Sequence, residues 1–295
     1  MSLKMQKKYF LTYNSSKDFN LSNRHLLNLA EHSNLFDGIF NYSPKDLSSG
    51  FVAKYRDILN MPRGGGYWLW KVDIIQQTLN KISENDILLY MDSGSTFNFR
   101  GKEKFKKYCA ELEDSSYGLL NFSTIFKEKH WTTKNIFDYF NVDIDSDIAN
   151  SPQLEATNLI FQKNKHSNYL LKEFTNLLEA DRYLITDKYN SSQNLESFKE
   201  NRHDQSIFSL LSKIYGSLKI KSQTNFNNRE YEQYSYPILS TRHSRQNLLF
   251  KTIYYLNYKK ASHSPRYFIE NNLSFKDAIS QKYFYFNHFP NNKTE

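Results

Sequence analysis

A single cysteine, Cys109, stands among the 295 residues, so no intrachain disulfide can form and nothing marks an oxidising compartment. Only 9 glycines and 6 prolines are present, too few for a linker-rich architecture, and no fixed-period repeat runs through the chain. No apolar run approaches the roughly 20 residues needed to cross a bilayer. The N-terminal stretch MSLKMQKKYF has no apolar core of signal-peptide length. There is no dense basic run and no zinc-finger spacing, which sets nucleic acid aside as a partner. The expectation from these absences is a cytoplasmic protein.

What is plentiful is aromatic. Aromatic residues make up 16% of the chain and hydrophobic ones 39%, which argues for a packed core rather than disorder. The length suits one large domain, or one domain with an appendage. A net charge of +8 suits phosphorylated substrates or an anionic membrane surface, although a general excess of Lys would produce the same sum.

Read in order, Tyr9–Tyr13 is a short β-rich run, Leu21–His32 a helix, and Asp37–Tyr42 a second strand. Lys45–Asn60 reads as another helix. The β-α-β-α order is that of a parallel sheet with crossover helices. The loop Met61–Gly66 follows, with three successive glycines that let backbone approach a ligand and with Arg63 suited to bidentate phosphate contacts. Trp68, Val72, Ile75, Leu79 and Ile82 then form one helical stripe, with Trp70 and Lys71 off it. These last two read either as a stacking face and a phosphate contact or as ordinary packing and a solvated lysine.

Ile87–Met91 is continuously apolar, as in a central parallel strand covered on both faces. Asp92-Ser93-Gly94 ends it, at the edge where open α/β sheets bind ligands. Lys102–Asp114 reads as a basic surface helix carrying Cys109, Tyr117–Phe122 as a strand and Thr132–Phe140 as a helix. Asp143, Asp145 and Asp147 alternate but lack the glycine and remaining ligands of a calcium loop, so a solvated loop is expected. Leu154–Gln162 reads as one strand containing Asn158, and Tyr169–Leu178 as a helix. Glu200–Gln205 precedes the stripe Ile207, Leu210, Leu211, Ile214, which puts His203-Asp204-Gln205 at a helix N-terminus, either as an anion site or with Asp204 simply a first-turn acid and His203 a surface residue. Pro237–Ser240 reads as a last strand. The Tyr-, Phe- and Lys-rich stretch 246–287 reads as helical and suits either a membrane interface or an aromatic packing layer.

RGGGYWLWK (63–71), LLYMDSG (88–94) and NRHDQSIFSLL (201–211), in this order, resemble a family of bacterial glycosyltransferases of surface-polysaccharide and lipopolysaccharide gene clusters. The likeness runs from about Tyr9 to Ser240. It implies an α/β fold of GT-A type, a Rossmann-like mixed sheet flanked by helices over residues 5–243; the helical C-terminal appendage over 244–295 is read from its residues alone. It implies transfer of a sugar from a nucleotide-diphosphate sugar, most readily a UDP-sugar, to a glycan or lipid-linked glycan. The place would be the cytoplasm, peripheral at the inner face of the cytoplasmic membrane.

By the same resemblance Asp92 is the first acid of a DxD-type motif holding a divalent cation, Mn²⁺ or Mg²⁺. Gly94 stands where the second acid is expected, and His243 is a candidate to complete the metal site. Thr12, Tyr13, Arg63, Gly66, Tyr67, Trp70, Lys71, Ser93, Gly94 and Asn158 become donor-binding residues. Asp204, flanked by His203 and Gln205, becomes the catalytic carboxylate, either as general base or as support for a developing oxocarbenium ion. A nucleotidyltransferase, or a non-catalytic glycan- or membrane-binding protein on the same fold, remains the alternative.

Overall fold

The computed structural model describes residues 6–98, 101–221, 223–224 and 235–241; His243 and the expected appendage over 244–295 lie outside them. The described chain builds a seven-stranded mixed sheet with strand order β2-β1-β3-β7-β5-β6, β8 pairing with β5. β1 (Lys8–Tyr13) lies parallel to both β2 (Gly38–Tyr42) and β3 (Ile87–Met91). β7 (Asn158–Gln162) runs antiparallel to β3 and to β5 (Leu119–Lys127). β6 (Pro152–Leu154) is antiparallel to β5, and β8 (Leu218–Ile220) is parallel to it. The expectation of a central parallel strand at β3 holds toward β1 and is corrected toward β7. One of its neighbours is antiparallel, although both of its faces are covered.

That coverage explains the unbroken apolar run. Leu88 and Tyr90 point to one core, with α4 (Trp70–Lys81), α8 (Lys165–Ala180) and α9 (Asp204–Ile214). Ile87, Leu89 and Met91 point to the other, with α1 (Asn20–His32) and α5 (Lys102–Glu113). A strand alternates its side chains between faces, so a strand buried on both faces has no position left for a polar residue. All five β3 residues are inaccessible to solvent. Cys109 is buried on the inner face of α5, so that helix is only half surface.

Several boundaries move. The helix expected from Lys45 begins at Ser49 as α2 (Ser49–Leu59), after a 3₁₀ turn at Pro44–Asp46. There Ser43 and Asp46 cap each other reciprocally. The stripe from Trp68 to Ile82 is helical only from Trp70 to Lys81. Leu154–Gln162 is not one strand. It breaks into β6 and β7, and the turn between them turns out to face the site. Ile238–Leu239 forms β9, paired antiparallel with β4 (Thr96–Phe97) in a small separate sheet. No helix among the described residues is long and apolar enough to cross a membrane.

Candidate active site

The carboxyl ends of the parallel strands β1 and β3 open onto one cavity of about 560 Å³. Tyr13 ends β1 and Asn14 to Ser16 follow it, and Asp92 to Ser95 follow β3. Ala156 and Thr157, in the turn before β7, close a third side. Arg63 to Gly65, Trp68, Trp70 and Lys71 close a fourth, and Glu200 with Arg202 to Gln205 a fifth.

The glycine loop is a left-handed turn. φ is positive at every residue from Gly64 to Trp68: +59°, +62°, +96°, +54° and +57°. Such a turn costs L-residues roughly 1–2 kcal/mol each but glycine little. This accounts for three glycines in a row and leaves Tyr67 and Trp68 strained. Two contacts hold the turn. Trp70 Nε1 donates to Gly64 O at 3.0 Å, and the Trp70 ring stacks on Tyr13 with centroids 3.8 Å apart. Gly66 packs on the backbone of Leu59, where an added Cβ would lie 2.7 Å from the Leu59 Cα.

Lys71 is the centre of the site. It lies in the first turn of α4 and is only 1% exposed, so it is not a solvated lysine. Its Nζ donates to Asp204 Oδ2 at 2.5 Å and to Ala156 O at 2.8 Å, and it lies 3.4 Å from Asp92 Oδ1. It also sits 4.9 Å from the centroid of the Tyr90 ring. The Tyr90 hydroxyl donates to the same Asp92 oxygen. Asp92 is the more open carboxylate, at 28% side-chain exposure against 6% for Asp204. Burial pushes Asp204 up to about 6; Lys71 opposes that shift and Asp92 adds to it.

His203 occupies the bend before α9 with φ +57° and ψ −120°, values that suit glycine at the first central position of a type II′ turn. The turn closes with Gln205 N donating to Arg202 O at 3.0 Å. His203 Nδ1 donates to Ile185 O at 2.8 Å, and its ring stacks against Trp68. Burial holds its pKa down, to about 4, so the imidazole is neutral near pH 7. Gln205 donates through Nε2 to Gln153 Oε1 at 2.7 Å.

Of the residues expected at the site, Tyr13, Arg63, Trp70, Lys71, Asp92, Ser93, Gly94, His203, Asp204 and Gln205 line the cavity. Thr12, Gly66, Tyr67 and Asn158 do not. Thr12 is fully buried with its hydroxyl toward Asn23, at 3.5 Å. The Tyr67 hydroxyl donates to Asp187, at 3.0 Å. Asn158 donates through Nδ2 to Ser240 Oγ and Glu155 Oε1, holding the turn that precedes it in place. The cavity also takes in Glu200, Arg202, Trp68 and Ser95, which sequence reasoning passed over. Arg202 lies inside the NRHDQSI stretch, so the signal for it was available.

The resemblance implies a divalent cation at Asp92, and the described residues around it do not make up a site for a resident one; His243 lies outside them. Asp92 Oδ1 already has the Tyr90 hydroxyl and the Lys71 ammonium, and Asp204 is committed to Lys71. Gly94 contributes no side-chain oxygen. Among the described residues no group of three or more His, Cys, Asp or Glu side chains gathers to hold a metal.

No family model matches the chain, and no curated protein matches its sequence. Solved structures do resemble it in chain course. One is a glycosyltransferase involved in glycosylating the major capsid of PBCV-1, at 14% identity and a TM-score of 0.40, covering 74% of this chain and 82% of that one. Mouse xyloside xylosyltransferase 1 covers 79% and 97% at 11% identity and a TM-score of 0.43. The galactosyltransferase LgtC, solved with donor and acceptor sugar analogs, covers 78% and 82% at 11% identity and a TM-score of 0.40.

Proposed function

We propose that this chain is a glycosyltransferase of GT-A type that moves a sugar from a nucleotide-diphosphate sugar, a UDP-sugar by preference, to a hydroxyl of a surface glycan or lipid-linked glycan. The observation that carries the reading is Lys71, buried between Asp92 and Asp204 at the carboxyl end of the central strand and bordering a cavity large enough for a nucleotide sugar. The resemblance of the three sequence motifs to surface-polysaccharide glycosyltransferases supports the same reading and suggests work at the inner face of the cytoplasmic membrane.

Transfer breaks the bond between the sugar and the diphosphate and forms one to the acceptor oxygen. It needs a place for the hydroxyl proton and positive charge for the leaving diphosphate. Asp92 is the carboxylate that meets ligand, because it is the more exposed. Asp204 acts through Lys71, which it fixes by the shorter of the two contacts. Tyr13 and Trp70 form the wall against which the nucleotide lies. Cation assistance is no part of this proposal, since the Lys71 ammonium already lies against Asp92.

The test is release of nucleoside diphosphate from a panel of UDP-, GDP-, CDP- and dTDP-sugars. One nucleotide should be released, and Asp92→Asn should abolish its release while preserving the melting temperature. If every nucleotide sugar stays intact and none raises the melting temperature, the donor-site reading fails.

A further inference from the structure

At the mouth of the cavity one carboxylate is held, among the described residues, by arginines alone. Glu200 Oε2 accepts from Arg63 Nη2 at 3.0 Å, and its Oε1 lies 3.7 Å from Arg202 Nε. The Glu200 side chain is 38% exposed, and its oxygens have no further hydrogen bond among the described residues. Asp187, the other acid on Arg63, is in the opposite position. It receives both bonds of Arg63 Nη1, at 2.9 and 3.0 Å, together with the Tyr67 hydroxyl and Asn190 Nδ2. Asp187 is therefore part of the frame that aims Arg63, and Glu200 is what Arg63 is aimed at.

Arg202 is aimed too. Its guanidinium carbon lies 3.9 Å from the centroid of the Trp131 ring, which fixes the plane of the group. Its backbone N donates to Trp131 O at 3.0 Å, so the residue is anchored at both ends. Two oriented guanidinium groups sharing one loosely held carboxylate at a cavity rim is the arrangement that binds phosphate oxygens.

We propose that Arg63 and Arg202 form an anion cradle for the diphosphate of the ligand, and that Glu200 occupies the cradle until the ligand displaces it. The class of ligand rests on the function proposed above; the cradle itself does not. The exchange asks little, because half-exposed ion pairs contribute weakly and Glu200 has no other bond to give up. The cradle supplies from the rim the positive charge that Asp92, paired with Lys71, does not draw from a resident cation. Arg202 thereby becomes a binding residue and Glu200 a gate on affinity.

The experiment titrates inorganic pyrophosphate and, separately, UDP into the full chain by calorimetry, with and without EDTA. The proteins are wild type, Glu200→Gln and Arg202→Gln, and their unliganded melting temperatures report that each is folded. Removing the competing carboxylate should tighten pyrophosphate binding by about two- to fivefold. Arg202→Gln should weaken it by about tenfold or more, and EDTA should change neither result. The cradle is overturned if wild type does not bind pyrophosphate, if Glu200→Gln binds no more tightly, or if EDTA abolishes binding. Pyrophosphate binding without UDP binding would sink the nucleotide-sugar reading and leave the cradle standing. UDP binding that Glu200→Gln fails to tighten would sink the cradle and leave that reading standing.

Discussion

Lys71 and Lys213 are both buried and both bonded to a carboxylate far away in sequence, Asp204 at 133 residues and Glu128 at 85. Around Lys213 everything is matched. Glu128 is fully buried and accepts from Lys213 Nζ at 2.7 Å, Thr132 Oγ1 at 2.6 Å, Gln153 Nε2 at 2.9 Å and the Ser209 hydroxyl. One cation meets one anion, the remaining oxygen sites are filled, and neither Lys213 nor Glu128 lines the site cavity. Around Lys71 one cation stands between two carboxylates, and both of these border the cavity. The titrations differ accordingly. Burial lowers the Lys213 pKa despite Glu128. Burial works against Lys71 as well, yet Asp204 and Asp92 together outweigh it and raise the pKa. A satisfied buried pair is framework, whereas a cluster with surplus charge beside a cavity is arranged for something that arrives.

The sharpest way to break this comparison is to remove each ammonium in turn. Lys71→Met and Lys213→Met each leave buried carboxylate without its cation, and each should cost about 3–5 kcal/mol in urea denaturation. Only Lys71→Met should also remove nucleotide release, by a factor of about 100 or more. Lys71→Arg, which keeps the charge in a larger group, guards against a variant that merely unfolds. Equal loss of ligand affinity in the Lys213 variant would erase the distinction between the two sites.

The surplus charge has a pH signature. Asp204 titrates near 3.8 in the unfolded chain and about 6 in the folded one, so between those values the folded protein holds a proton that the unfolded one has released. Its contribution to stability is full below about pH 3.8 and is lost as pH rises through 6. Relative to Asp204→Asn, wild type should therefore lose about 2 kcal/mol of stability between pH 4 and pH 7. Denaturation midpoints of the two proteins across that range check the sign; parallel curves would mean that Asp204 ionises normally.

Legibility in the sequence divides along the same line. The unbroken apolar run Ile87–Met91 announced a strand covered on both faces, because local burial leaves a local pattern. The end of that strand, at Asp92, was legible as the edge where open α/β sheets bind ligands, whereas the end of β1 entered only through the resemblance. Lys71 was legible as a residue but not as a role. Its position off the Trp68–Ile82 stripe suited solvent as well as a cavity, and its partners lie far along the chain. The positive φ run at 64–68 was half legible, since glycine permits it at three positions but nothing marks Tyr67 and Trp68. The break at 155–157 was hidden because LEATNLIFQ alternates well enough to pass for one strand. Glu200 was hidden because a surface-type ion pair looks the same in sequence wherever it lies, whereas Arg202 stood inside the NRHDQSI stretch.

The glycine turn gives a smaller test that separates scaffold from contact within the site. Gly66 does not line the cavity, but its φ of +96° and the nearby Leu59 Cα leave no room for a side chain. Gly66→Ala should cost about 1–3 kcal/mol in stability. It should weaken nucleotide binding only through displacement of Trp70 and Lys71, so the loss should fall well short of that in Lys71→Met. A variant as stable as wild type would show that the left-handed turn is not required.

The smallest expected effect provides the baseline for the comparison of lysines. Lys134 Nζ lies 2.6 Å from Asp138, a distance as short as those at the buried sites, but the two side chains are 50% and 57% exposed. Water already solvates both charges, and holding two long side chains together costs entropy, so an i,i+4 pair of this kind contributes about 0.3–0.5 kcal/mol. Lys134→Ala should shift the urea midpoint by no more than that, in a direction that salt suppresses, and should leave nucleotide affinity unchanged. A loss approaching that of Lys213→Met would mean that distance alone decides what such a pair contributes. Burial and surplus charge could then no longer be used to tell the framework lysine from the one at the cavity.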